Sequence, residues 1–171
     1  VSRVQDFFCG KKMKPEQVRE SLRKGIKEAD EVIYGLDYDL KKCRKERDRL
    51  IQQGTKAVPD KDMSKVRETA SEIKFCKIEI ARLLQERDTA AKARLMCRMN
   101  LRRLESATEG GATELAQRIT QLTGDAEVTE MLSNAECSEE RFQEMLDKKL
   151  DLATGNLERY TNDTDQELSD E

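Results

Sequence analysis

Apolar residues return along the first third of the chain in alternating steps of four and three: Leu22, Ile26, Ala29, Ile33, Leu36, Leu40, Cys43 and Leu50, with Arg47 taking the missing turn. This is a heptad seam, and a stripe so narrow needs a facing helix. Pro15, whose fixed φ suits a first turn, marks where the helix should begin. Gly54 and Pro59 interrupt the period and predict a turn between two antiparallel helices. No Pro or Gly follows from Asp60 to Glu109, and a second stripe runs through Met63, Val66, Ala70, Ile73, Lys77, Ile80, Leu84, Ala91, Leu95, Arg98, Leu101 and Leu104 or nearby neighbours. The expected hairpin seam is therefore Leu22, Ile26, Ile33 and Leu40 against Ile73, Ile80 and Leu84.

A second helix of about 45 residues would be about 65 Å long and would outlast the first. Its later part, beyond about Phe75 to Glu86, needs a neighbour, either a segment folding back or another molecule. Small residues at Ala70, Ala81, Ala90, Ala91 and Ala93 permit close approach, and self-association of the hairpin is the expectation. Gly110 and Gly111 should end the second helix. Shorter amphipathic segments follow, bearing Leu115, Ile119 and Leu122, then Val128, Met131 and Leu132. A last helix opening at Ser138 carries Phe142, Met145, Leu146, Leu150, Leu152 and Leu157. The predicted fold is all-α: an elongated antiparallel helical hairpin with additional short helices and an acidic C-terminal helix. The organisation reads as an N-terminal segment (1–14), a basic hairpin (15–109), short acidic helices (110–160) and an acidic tail (161–171) expected to fray.

Charge sharpens that division. Residues 1–105 carry 27 Lys+Arg against 18 Asp+Glu, whereas residues 106–171 carry 5 against 17. Opposed halves of this kind can attract each other within a molecule or face different partners once apart. With 39% charged, 36% apolar and 4% aromatic residues, the chain suits elongated elements sharing narrow seams. The five cysteines, Cys9, Cys43, Cys76, Cys97 and Cys137, are scattered and read as reduced thiols inside a cell. No apolar run is long enough to span a bilayer, and the first residues do not resemble a signal peptide. There is no His and no phosphate-cradling Gly-rich loop, so no catalytic residue, cofactor or metal site is expected. Nucleic acid is not an expected partner either, because the acidic end interrupts the basic footprint.

The N-terminal end differs chemically from the rest. Phe7 and Phe8 precede Gly10 and the basic group Lys11, Lys12 and Lys14, a pattern that could set apolar rings in a membrane interface while lysines meet headgroups. Arg19, Arg23, Lys24 and Lys27 continue that positive charge along the first helix.

Taken together, Phe7-Phe8-Cys9-Gly10-Lys11-Lys12, the Lys14-Pro15-Glu16 start, the basic helix to Leu50, the Gly54 break and Glu144-Met145-Leu146-Asp147 in an acidic final helix resemble the charged multivesicular body proteins. These are the polymer-forming subunits of the third endosomal sorting complex, ESCRT-III. The resemblance covers residues 7–157 and lies in the combined layout. Phe7, Phe8 and Gly10 stand where that family's N-terminal pattern has Leu, Phe and Gly, with Cys9 as an extra residue.

The resemblance implies a cytoplasmic protein, peripheral on endosomal or multivesicular-body membranes, that polymerises with itself or related subunits during budding and scission. It implies that Phe7 and Phe8 enter the anionic membrane and that Lys11, Lys12, Lys14, Arg19, Arg23, Lys24 and Lys27 approach its headgroups. Glu139, Glu140, Glu144 and Asp147 would belong to an autoinhibitory end that covers the basic core in a closed state. The sequence from Asp147 to Leu152, then Leu157-Glu158-Arg159, departs from the family's Leu-rich terminal motif. An AAA ATPase would accordingly be recruited through a partner subunit. The alternative reading is a coiled-coil adaptor or tether that binds partners without remodelling membranes.

Overall fold

The computed structural model describes residues 13–150. Two long helices, α1 (Pro15–Ala57) and α2 (Met63–Ser106), pack against each other as an antiparallel hairpin. They are followed by α3 (Glu109–Thr123), α4 (Ala126–Ser133) and a fifth helix, α5, described over residues 139–150. No strand occurs among the described residues. The all-α hairpin with short helices is thus the observed fold. Phe7, Phe8, Lys11 and Lys12, expected at the membrane, and the acidic tail lie outside the described residues.

The molecule divides into two compact units, one of residues 27–91 and the other of the residues before and after them, so α1 and α2 each contribute to both. In the 27–91 unit, Leu36 and Leu40 pack with Ile80 and Leu83, with Cys43 alongside, and Ile33 packs with Ala90 and Ala91. Arg87 and Asp37 form an ion pair across this hairpin at 2.6 Å. The α1 stripe follows its predicted period, with Leu36, Leu40 and Leu50 buried and Cys43 and Arg47 half-buried.

The turn differs from its expected position. α1 runs through Gly54 to Ala57, and Gly54 is a point of close approach: a Cβ there would lie 3.2 Å from Thr69 Cγ2. Lys61, at φ 54°, turns the chain in the left-handed region, and its N–H donates to the Val58 carbonyl at 3.1 Å. Asp62 then caps α2, its carboxylate accepting the Lys65 N–H at 3.1 Å.

The second stripe also needs correction. Val66, Ile73 and Ile80 recur every seventh residue, and the intervening seam position can fall either three or four residues later. The sequence stripe took Ala70, Lys77 and Leu84; the fold uses Thr69, Cys76 and Leu83. Thr69 and Leu83 are buried and Cys76 and Ile73 half-buried, whereas Leu84 is 44% exposed. The two candidate rows differ mainly at one place, Lys77 against Cys76, since Ala70 and Thr69 are both small and positions 83 and 84 are both leucine. Burying Lys77 in a two-helix seam would carry a desolvation cost, and the groove at Gly54 receives Thr69 instead.

In the other unit the start of α1 and the end of α2 meet the short helices. Val18 and Leu22 pack with Cys97, Leu104, Ala112, Ala116 and Ile119, while Ile26 is partly buried against the same cluster. A second core joins Met96 to Leu122, Val128, Leu132, Cys137, Phe142, Met145, Leu146 and Leu150. The later part of α2 is therefore covered by segments folding back. α2 ends at Ser106, and Gly110 and Gly111 lie in the first turn of α3, so they open that helix after the break. Ser138 caps α5, its hydroxyl accepting the Arg141 N–H at 3.3 Å.

Candidate functional site

Two surfaces follow from the sequence reading: the basic side of α1 and the folded-back end that ought to oppose it. On α1, helix geometry separates residues that sequence alone groups together. Lys14, Lys24 and Lys27 are exposed. Lys14 begins the helix, its backbone N–H donating to Gln17 Oε1 at 3.1 Å and its carbonyl accepting the Val18 N–H. Arg23 is exposed but ion-paired with Glu105 at 3.2 Å. Arg19 is directed elsewhere: its Nη2 donates to the Leu104 carbonyl at 3.4 Å, and its Nε is buried without a hydrogen-bond partner among the described residues. A guanidinium at the last turn of α2 complements the negative helix end. Arg19 thus serves packing and capping, which corrects its assignment to a headgroup-facing set.

The folded-back end is held mainly by apolar burial. Phe142, Leu146 and Leu150 recur at steps of four and are buried, because α5 presents one hydrophobic face to the core that includes Met96. Of the four carboxylates singled out in the acidic end, Asp147 pairs with Arg103 of α2, whereas Glu139, Glu140 and Glu144 stand exposed. Charge attraction between acidic end and basic helix is consequently carried by Asp147 among the named four. The exposed three contribute a solvated acidic face.

Three features at this end escaped the sequence reading. Lys92, on α2, is fully buried, and its Nζ donates to the carbonyls of Asn134 at 2.7 Å and Met131 at 3.2 Å. Met131 lies in the last turn of α4 and Asn134 is its C-cap, so the amine closes that helix end. Lys149 of α5 bridges to Asp125 at 2.7 Å and Glu127 at 3.0 Å. Asp125 is also the N-cap of α4, its Oδ1 accepting the N–H groups of Glu127 at 2.9 Å and Val128 at 3.2 Å. The Lys149 hydrogen bond holds the Asp125 carboxyl below its ordinary range, with the two backbone donors adding to the effect against burial. The same pair raises the Lys149 ammonium. Finally, Asn100 is 1% exposed, and neither its amide nitrogen nor its oxygen has a hydrogen-bond partner among the described residues. Lys92 had one legible signal, its position among the small residues Ala90, Ala91 and Ala93.

No helix of the described residues is long and apolar enough to cross a membrane. Among the described residues no group of His, Cys, Asp or Glu is arranged to hold a metal. The chain matches no protein-family model, no curated protein and no solved structure.

Proposed function

We propose that the chain is an ESCRT-III-like membrane-remodelling subunit, which assembles on anionic membranes and whose closed form is maintained by its folded-back end. The observation that supports this most is the packing of α5 on the end of α2, joined by Asp147 and Arg103, while Lys14, just before α1, and Lys24 and Lys27 on it remain exposed. Positive side chains near a membrane surface each gain on the order of 1 kcal/mol from anionic headgroups. Phe7 and Phe8 add apolar insertion to that attraction. Polymerisation with itself or related subunits, an endosomal address and ATPase recruitment through a partner belong to the same proposal. No enzymatic activity is included in it.

The test is flotation with vesicles of phosphatidylserine and phosphatidylcholine. The wild-type chain should float, and reversal of Lys11, Lys12 and Lys14 to Glu should abolish flotation without loss of helicity. Removal of residues 135–171 should promote regular lipid-bound strands in negative-stain electron microscopy. A chain that never binds vesicles, with or without its acidic end, would instead be an adaptor or tether.

A further inference from the structure

The exposed large apolar side chains of the described residues all fall between Val32 and Leu84, within the 27–91 unit. Two sets of them sit away from the hairpin seam. Tyr34 is 80% exposed and Tyr38 follows one turn later on the outer side of α1; Phe75, 70% exposed, and Ile78 lie on the outer side of α2. The charged residues around them differ in sign. Continuing Tyr34 and Tyr38 along one stripe of α1 gives Lys27, Glu31, Lys41 and Lys45, with Lys42 placed 4.6 Å over the Tyr38 ring. Continuing Phe75 along α2 gives Glu68, Glu72, Glu79, Arg82 and Glu86, where Arg82 is ion-paired with both Glu79 and Glu86. Each stripe has six positions in steps of four, three, four, three and four.

We propose that the α1 stripe of one molecule docks against the α2 stripe of a second copy of this chain, with the two helices antiparallel. In that alignment Lys27 faces Glu86, Glu31 faces Arg82, Lys41 faces Glu72 and Lys45 faces Glu68. Tyr38 stacks on Phe75, and the Tyr34 hydroxyl reaches the Glu79 carboxylate. Every charged position on one stripe meets the opposite sign or a hydroxyl donor on the other. A parallel alignment of the same stripes sets Glu31 against Glu72 and Lys41 against Arg82, so charge selects the antiparallel one. The two stripes are different surfaces, and their contact is heterologous: each copy that binds through α1 leaves its own α2 stripe open for the next. The proposal deepens the assembly part of the function above and rests on that part only, because neither stripe depends on lipid.

The test is a charge exchange in the full chain, followed by sedimentation velocity over a concentration series in solution and by pelleting on phosphatidylserine-containing vesicles. Lys41→Glu and Glu72→Lys should each raise the concentration needed for assembly at least about tenfold, through like charges placed face to face. The double variant K41E/E72K restores opposite charges at each contact and should recover assembly to within about threefold of wild type. Both positions are exposed mid-helix, and circular dichroism checks that helicity is kept. A wild type that stays monomeric in solution and on vesicles, single variants that assemble like wild type, or a double variant no better than the singles would overturn the interface. Flotation separates the two proposals. Vesicle binding without any effect of the exchange sinks the interface alone, whereas rescue by the exchange without vesicle binding sinks the membrane reading alone.

Discussion

At the scale of single residues, Gly54 illustrates how one missing methyl group can set the spacing of a hairpin. Alanine in a helix interior normally gains about 1 kcal/mol over glycine. Here the added Cβ would lie 3.2 Å from Thr69 Cγ2. Thr69 is buried, and its hydroxyl donates to the Lys65 carbonyl at 2.7 Å, which restrains the rotamer that would have to give way. Gly54→Ala should therefore stabilise the protein little or not at all by itself. In a Thr69→Ser background, which keeps the hydroxyl and removes the methyl, the same substitution should be more favourable by ~0.5–1 kcal/mol. Urea denaturation of the four proteins measures that difference, and equal effects in both backgrounds would show that the contact is relieved at no cost. A second residue-scale effect concerns Asp125 and Lys149. The lowered carboxyl contributes stability above its ordinary value of 3.8 and loses it as pH falls through the still lower folded value. The raised ammonium contributes below its ordinary 10.5 and loses that contribution as pH rises through the higher folded value. Amide exchange at Glu127 and Val128, the donors to the Asp125 cap, should accordingly lose protection on acidification below about pH 4, beyond the intrinsic change in exchange rate. Asp125→Asn should weaken that extra acid-dependent loss.

At the scale of elements, the core of the folded-back unit contains a built-in weakness. Asn100 lies on α2 between Met96 and Leu104, which belong to its two apolar clusters, and neither polar atom of its side chain finds a partner among the described residues. A buried polar group without partners costs about 1–3 kcal/mol. Asn100→Leu, which keeps the branching of the side chain and replaces its polar atoms with bulkier methyl groups, should raise the urea midpoint of the unit, and if opening precedes assembly it should also slow strand formation on vesicles. A lower midpoint would mean that the cavity does not accept the branched side chain. Legibility in sequence varied element by element for physical reasons. The α1 stripe was legible throughout because Leu22, Ile33, Leu36, Leu40 and Leu50 are large, unambiguous and spaced by heptads. Along the first half of α2 the stripe was legible at Val66, Ile73 and Ile80 but not between them, since Ala70 and Thr69 are both small, adjacent leucines occupy positions 83 and 84, and only Cys76 against Lys77 separates the two rows by polarity; farther on, Ala91 and Leu104 are buried as expected. Arg19 was misplaced because charge predicts exposure but not which backbone carbonyl a long side chain will reach.

At the scale of the whole molecule, the sequence announced a sign change near residue 105, and the fold divides its chain elsewhere, at residues 26 and 91. The difference has a simple origin. Charge is a property of surface, and compact units are defined by buried contacts, which the acidic end makes through Phe142, Leu146 and Leu150 rather than through its carboxylates. The membrane-facing reading of Lys14, Lys24 and Lys27 could be framed from composition, while the contacts of Lys92, Lys149 and Asn100 depend on pairings between distant segments that no local pattern encodes. Lys92 then provides a clock. With no exposed surface and its amine held by the ends of Met131 and Asn134, it is out of reach of an acylating reagent for as long as α4 stays seated. Its rate of acetylation by a small anhydride, read by mass spectrometry against the exposed Lys24 in the same sample, should count the openings of this unit directly. Asn100→Leu should slow that count, and equal rates at the two lysines would mean that the amine is never shut away.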